Sequence, residues 1–255
     1  MIGVYDSGLG GLTVLAALRG AGIGDEVVYF ADQAHVPYGE KTDDELSALL
    51  AANLAWLRDH GADLVVMGCN TSCAVASRRG WPDVRFPLGV ADLIDNGARA
   101  FAASPARRVA VIATAATVRS GAYGRAIRAV APAIDVLEVA APALVPLVEA
   151  GASESDAARD AVTALAATLP PGVDAIVYGC THYPLLDAHF ARALPQVARF
   201  DPALEQARAV ARLPLAGGNA RTTYVTNGDV AAFERNVRRW TGDATGRVTG
   251  LVGVR

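Results

Sequence analysis

The segment Val65-Val66-Met67-Gly68-Cys69-Asn70-Thr71 returns, altered, 111 positions later as Ile176-Val177-Tyr178-Gly179-Cys180-Thr181-His182. Each copy is a short apolar run, a glycine, a thiol, and then side chains that form hydrogen bonds. Continuous apolar runs of this length suit strands buried on both faces of a parallel sheet. A second pair of segments repeats at an offset near 107: Ile2-Gly3-Val4-Tyr5-Asp6-Ser7-Gly8 lines up with Val109-Ala110-Val111-Ile112-Ala113-Thr114. Repeats this long argue for a duplicated half, not for a solenoid. The chain is thereby held to an α/β fold of two similar halves with parallel sheets. Asp6 and Cys69 fall at strand ends of one half, Thr114 and Cys180 at strand ends of the other.

The pattern between these landmarks alternates strand and helix. Strands are expected at 2–5, 27–30, 64–68, 109–113, 136–139 and 175–179, with a loop over 31–39. Helices are expected at 12–19, 43–60, 74–79, 117–130 and 155–168. Alternation of this kind implies right-handed crossovers and a ligand at the carboxyl ends of the strands. The boundary falls in the stretch 87–105, with a return near Asp201-Pro202. The expected halves are therefore 1–95 plus 205–255, and 96–204, with the active site in the cleft between them. A thiol at a strand end, close to the amides that open the next helix, is placed to become a thiolate. Two of them, one per half, suit chemistry on opposite faces of one carbon, and racemisation is the leading case.

Composition matters for what it excludes. Hydrophobic residues make up 52% and charged residues 19%, a globular profile and not a disordered one. A net charge of −3 gives no electrostatic footprint for nucleic acid. No apolar stretch approaches the roughly 20 residues of a membrane span, and no signal peptide is visible. Three cysteines, an odd number outside any disulfide framework, favour free thiols in a reducing cytoplasm. The turn Gly8-Leu9-Gly10-Gly11 does not fit the dinucleotide fingerprint and no P-loop lysine follows, so it reads as a tight turn opening a helix.

Six motifs in order carry a resemblance that runs almost end to end. They are Asp6 to Thr13, Asp32 with Pro37-Tyr38-Gly39-Glu40-Lys41, Cys69-Asn70-Thr71, Ala113 to Val118, Val145-Pro146-Leu147-Val148-Glu149, and Gly179-Cys180-Thr181-His182-Tyr183-Pro184. Thr226-Asn227-Gly228-Asp229 adds a closing motif. Together they resemble the glutamate racemases of the aspartate/glutamate racemase family, which use two cysteines and no cofactor. The resemblance implies that Cys69 deprotonates the D-enantiomer and Cys180 the L-enantiomer. It sets Asp6 beside Cys69 and His182 beside Cys180, with Asp32 and Glu149 in support. Substrate would be held by Ser7, Tyr38, Gly39, Asn70, Thr71, Thr114, Thr117 and Thr181. No metal and no cofactor are implied. The partner is a small amino acid, the product is D-glutamate for peptidoglycan and cell shape, and a homodimer is left open.

The chain departs from the family pattern in places. Gln33 and His35 stand where Thr and Arg are usual, Ser72-Cys73 replaces a small pair, and Thr226-Asn227 replaces Thr-Thr. The stretch Val90 to Gly97 is two residues longer than expected, which bears on how the halves hinge. With its first strand at residues 2–5, the chain is expected to lack the extension that forms an activator site in some relatives. Cys73 is expected to be a buried small hydrophobe; a metal site made with Cys69, Cys180 and His182 is the minor alternative. His35, His60 and His189 are expected on surfaces or loops. Two rival functions are carried forward. One is racemisation of another acid, such as aspartate or a hydantoin. The other is a catalytically weak paralogue that binds a protein such as DNA gyrase.

Overall fold

The structure, a computed structural model, describes residues 1–243 and 246–251; residues 244–245 and 252–255 of the first expected half lie outside the described residues. In chain order the elements run β1 (Ile2–Asp6), α1 (Gly11–Gly20), β2 (Val27–Ala31), α2 (Asp43–Asp59), β3 (Leu64–Met67), α3 (Asn70–Arg79), β4 (Val90–Ala91) and α4 (Leu93–Ala98). They continue β5 (Arg108–Ala113), α5 (Ala115–Ser120), α6 (Ala122–Val130), β6 (Asp135–Ala140), α7 (Leu144–Glu149), α8 (Asp156–Thr168), β7 (Ala175–Gly179), α9 (Asp187–Ala193) and β8 (Ala198–Phe200). The chain closes with α10 (Pro202–Val210), β9 (Thr222–Thr226), α11 (Val230–Thr241) and β10 (Arg247–Gly250).

The duplication read from the sequence is written into the topology. One sheet has the order β10-β9-β2-β1-β3-β4 and the other β6-β5-β7-β8. All pairings are parallel. The core of the first sheet, β2-β1-β3-β4, is matched strand for strand by β6-β5-β7-β8. In both, the central strand comes first in sequence, and the third strand of the set ends just before a thiol. The helices that follow the fourth strands also correspond. Asp92 caps α4 and Asp201 caps α10, each with its side chain accepting a backbone N–H. The two helices pack on each other so closely that a Cβ on Gly97 would lie 2.6 Å from Pro202 Cβ. Burial pushes both capping carboxyls up, each to about 6.

The apolar runs form the expected strands because both faces of each sheet are covered: β1, β3 and β7 are buried at every position. One core cluster takes in Val4, Val65 and Leu15 of the first sheet's layers together with Val109, Val111, Ala175 and Val177 of the second sheet. A smaller cluster, with Ile112, Ile176, Tyr178 and Phe190, covers the second sheet's other face. Helix α2 starts where its sequence says, through a capping box between Thr42 and Glu45 and three acidic residues in its first turn.

Several expectations are corrected. The single helix expected over 117–130 is two, broken at Gly121, whose φ of +64° no helix continues through. The loop expected at 31–39 starts after Ala31, the last residue of β2, and carries a short 3-10 turn at 33–35 and a second, at 38–40, that runs one residue past its expected end. Helix α3 begins at Asn70 and not near 74, which makes Cys69 its N-cap. Strands β4, β8, β9 and β10 had no expected counterpart; the first two are short edges with too few residues to show a pattern. His189 is not a surface residue: it is buried on α9 with Nε2 2.9 Å from the Ser153 carbonyl.

Candidate active site

Four parallel strands deliver their carboxyl ends to one cavity of about 300 Å³. From β1 comes Ser7, from β3 come Cys69, Asn70 and Thr71, from β5 comes Thr114, and from β7 come Cys180, Thr181 and His182. The glycine before each thiol is a packing requirement. A Cβ on Gly68 would sit 3.0 Å from Gly11 Cα, and one on Gly179 would sit 2.9 Å from Ala113 Cβ. The Gly8–Gly11 turn is forced for the same reason, since a Cβ on Gly10 would lie 2.6 Å from His182 Nδ1. The turn therefore serves close approach of the two strand-end clusters.

The two thiols have unlike surroundings. Cys69 is buried, with its sulfur 3.6 Å from Ser7 Oγ. Burial, reinforced by the nearby Asp6 carboxyl, pushes the Cys69 thiol up to about 11. Asp6 is itself wholly buried and held up by desolvation, opposed by His182 and the Gly8 amide. Its Oδ1 accepts from Gly8 N at 2.7 Å, while Oδ2 has no hydrogen-bond partner among the described residues. A carboxyl held above its ordinary pKa beside a thiol is suited to proton exchange with it.

Cys180 faces a cation. His182 Nδ1 lies 3.5 Å from Cys180 Sγ, and His182 Nε2 lies 2.6 Å from Glu149 Oε1. Burial works against a charged ring, but Cys180 and Glu149 together outweigh it and hold the His182 pKa well above its ordinary value. Burial likewise opposes charge on Glu149, yet the His182 ring and the Leu9 amide at 3.1 Å bring its pKa below the ordinary value. The opposite shifts agree on an imidazolium–carboxylate pair. A positive ring at this distance balances negative charge on sulfur.

Hydroxyl and amide side chains share the rest of the wall with Glu40 and with apolar residues such as Val36, Pro142 and Val145. Thr71, Thr114 and Thr117 form a hydroxyl triangle with sides of 3.0, 3.0 and 3.4 Å. Thr114 caps α5 by accepting from Thr117 N. Gly39 presses against Thr114, bringing the turn at 38–40 onto α5. No lysine or arginine is among the residues lining the cavity.

Most of the residues singled out from sequence line the cavity; Asp6, Asp32 and Thr117 do not. Asp6 stands directly behind Cys69. Thr117 is fully buried and reaches the cavity only through Thr71 and Thr114. Asp32 is buried behind Tyr38, whose hydroxyl donates to Asp32 Oδ2. Asn53 donates to the same oxygen at 3.0 Å, while Asn227, at 2.5 Å, and His35 Nδ1, at 2.6 Å, meet Oδ1. Tyr5 joins the group through a 2.9 Å contact with Tyr38. The half-exposed His35 thus stands on the loop as expected, but bonded to a buried carboxylate. Asn53 and Tyr123 were not singled out, because they come from helix interiors that carry no motif; Tyr5 lies in the first repeated segment but was read there only as part of a buried strand. Cys73 is buried on α3 against Asp92, away from the cavity. Among the described residues no cluster of three or more His, Cys, Asp or Glu side chains is arranged to hold a metal ion.

Residues 13–210 match the Asp/Glu/Hydantoin racemase family. A glutamate racemase of Desulforudis audaxviator is 44% identical over 217 residues, 84% of this chain and 78% of that one. A glutamate racemase of Gloeobacter violaceus is 41% identical over 248 residues, 94% of this chain and 92% of its own. Among solved structures, the glutamate racemase of Thermus thermophilus in complex with β-chloro-D-alanine superimposes with a TM-score of 0.81 at 33% identity. The match covers 98% of this chain and 96% of that one.

Proposed function

We propose that this chain, which belongs to the Asp/Glu/Hydantoin racemase family, interconverts L- and D-glutamate by a two-base mechanism that uses no cofactor. The observation that carries the reading is the pair of thiols from corresponding strand ends, lining one cavity with different partners. With L-glutamate, the Cys180 thiolate takes the α-proton and the C–H electron pair passes to the α-carbon and its carboxylate. The Cys69 S–H then delivers its proton to the opposite face. D-Glutamate leaves with Cys69 as thiolate and Cys180 as thiol, and the reverse reaction exchanges the roles.

The α-carbon is a very weak acid, so the carbanion must be matched by preorganised donors in a site from which water is excluded. Asn70, Thr71, Thr114 and Thr181, with the amides opening α3, are the groups proposed to hold the carboxylates. Ser7, Tyr38, Gly39 and Thr117 complete that set. Asp6 and His182 serve as proton-handling partners of the two thiols, Glu149 sets the charge of His182, and Asp32 acts through Tyr38. The halves 1–95 plus 205–255 and 96–204 are taken to close on the substrate, with α4 and α10 at the two crossings. D-Glutamate made in the cytoplasm for peptidoglycan completes the proposal on the strength of the family resemblance. No helix among the described residues is long and apolar enough to cross a membrane.

The test is circular dichroism of D-glutamate and D-aspartate with enzyme alone, followed by α-proton exchange in deuterium oxide. Glutamate should invert with exchange, and aspartate should turn over poorly. Cys69→Ser and Cys180→Ser should each lower racemisation by more than about 10³-fold, whereas Cys73→Ser should stay within about threefold. Preference for aspartate would overturn the substrate. Activity dependent on pyridoxal phosphate would overturn the mechanism, and no racemisation at all would favour the binding paralogue.

A further inference from the structure

Asn70 opens α3, directly after Cys69, and lines the cavity. Its two side-chain atoms are treated very differently. Oδ1 accepts a hydrogen bond from the Tyr123 hydroxyl at 2.5 Å. Nδ2 is buried and has no hydrogen-bond partner among the described residues. Tyr123 lies on α6, its side chain fully buried, and its hydroxyl has no other hydrogen-bond partner among the described residues.

An amide whose oxygen is fixed has its nitrogen fixed too. If the Asn70 amide turned over, Nδ2 would face the Tyr123 oxygen and the hydroxyl proton would lose its only acceptor. A buried unpaired donor of that kind is costly. The carbonyl would then take the place of the Nδ2 donor beside a cavity lined by Glu149 and Glu40. For a dicarboxylate substrate, and with no lysine or arginine on the wall, that reversal replaces attraction with repulsion.

We infer that Tyr123 is a positioning residue: it locks the Asn70 side chain so that an N–H, and not a carbonyl, meets a substrate carboxylate. The inference rests on the glutamate reading above. The bond also runs between α6 and α3, which follow strands of different sheets. The donor is therefore set only when these two parts of the chain are together, as they are in a closed site. Tyr123 touches no reacting atom; it acts through Asn70.

The experiment is steady-state racemisation in both directions with Tyr123→Phe, which keeps the ring and removes the hydroxyl. KM for D- and L-glutamate should rise about tenfold, the equivalent of one charge-assisted hydrogen bond, with kcat changed by less than about threefold. In an Asn70→Ala background the same change should leave KM where Asn70→Ala puts it, since the coupling partner is gone. A merely structural role would shift both backgrounds alike, and that result overturns the inference. A second variant does not depend on Tyr123. Asn70→Asp keeps an acceptor for the hydroxyl but places oxygen where Nδ2 stood, and its KM should rise by more than about tenfold. If Tyr123→Phe melts below the assay temperature, Asn70→Asp decides alone. Active wild-type enzyme with an unchanged KM in either variant sinks the inference. A wild-type enzyme that ignores glutamate sinks the substrate reading and the inference with it.

Discussion

At the scale of single residues the two thiols differ by what stands behind them, a buried carboxyl for Cys69 and a charged pair for Cys180. Glu149, with its pKa below the ordinary 4.5, contributes stability that is complete above that value and lost as acid reaches the lowered pKa. His182 contributes below its ordinary 6.5, and that contribution is lost as pH rises through its raised folded value. The pair is therefore whole between those two ordinary values and persists some way beyond each. Glu149→Gln removes one of the two anions that keep the ring charged. The alkaline limb of kcat/KM for L-glutamate should move to lower pH, with activity down by about 10²-fold. A pH–rate profile with its alkaline limb unmoved would refute the role given to Glu149. The cysteines and their immediate neighbours were legible in sequence because each thiol and its donors share one strand-to-helix junction. Asp32 was only half legible: its partners Asn53 and Asn227 come from α2 and the end of β9, and Tyr5 of β1 reaches it only through Tyr38. Spacing along the chain cannot show that such residues converge.

Elements show the same division between local and distant causes. The buried strands were readable because both faces of a parallel strand are apolar, whereas the two-residue β4 and three-residue β8 offer no pattern to read. The break between α5 and α6 was not anticipated, since apolar spacing continues through it. Its cause is local all the same. Gly121 takes a left-handed conformation while Ser120 Oγ donates to the Thr117 carbonyl at 2.5 Å and accepts from Ala122 N at 3.1 Å. The break lets α5 start at Thr114 on the cavity wall and still turns α6 so that Tyr123 reaches Asn70. Gly121→Ala should cost about 1 kcal/mol, the strain of a side chain at positive φ. Urea unfolding measures it, with the midpoint falling and the slope unchanged. A midpoint equal to wild type would mean that the break does not depend on the glycine.

For the whole molecule, matched strand orders and matched capped helices describe two halves, and the proposed chemistry asks them to close on a small acid. The principal core tells a complementary story, because Val4 and Val65 of one sheet belong to the same buried cluster as Val111 and Val177 of the other. Pulling the halves fully apart would expose that shared surface. Closure on the substrate, if the halves move, would then be a small rotation about packed helices such as α4 and α10, and not a wide opening. In thermal terms the halves are not separable. Scanning calorimetry should give one heat-absorption peak, with calorimetric and van't Hoff enthalpies equal, and not two peaks for two sheets. Two resolved transitions would show that the seam is weaker than its burial implies. A single one would mean that the duplicated halves, whatever their separate origin, live and die as one cooperative body.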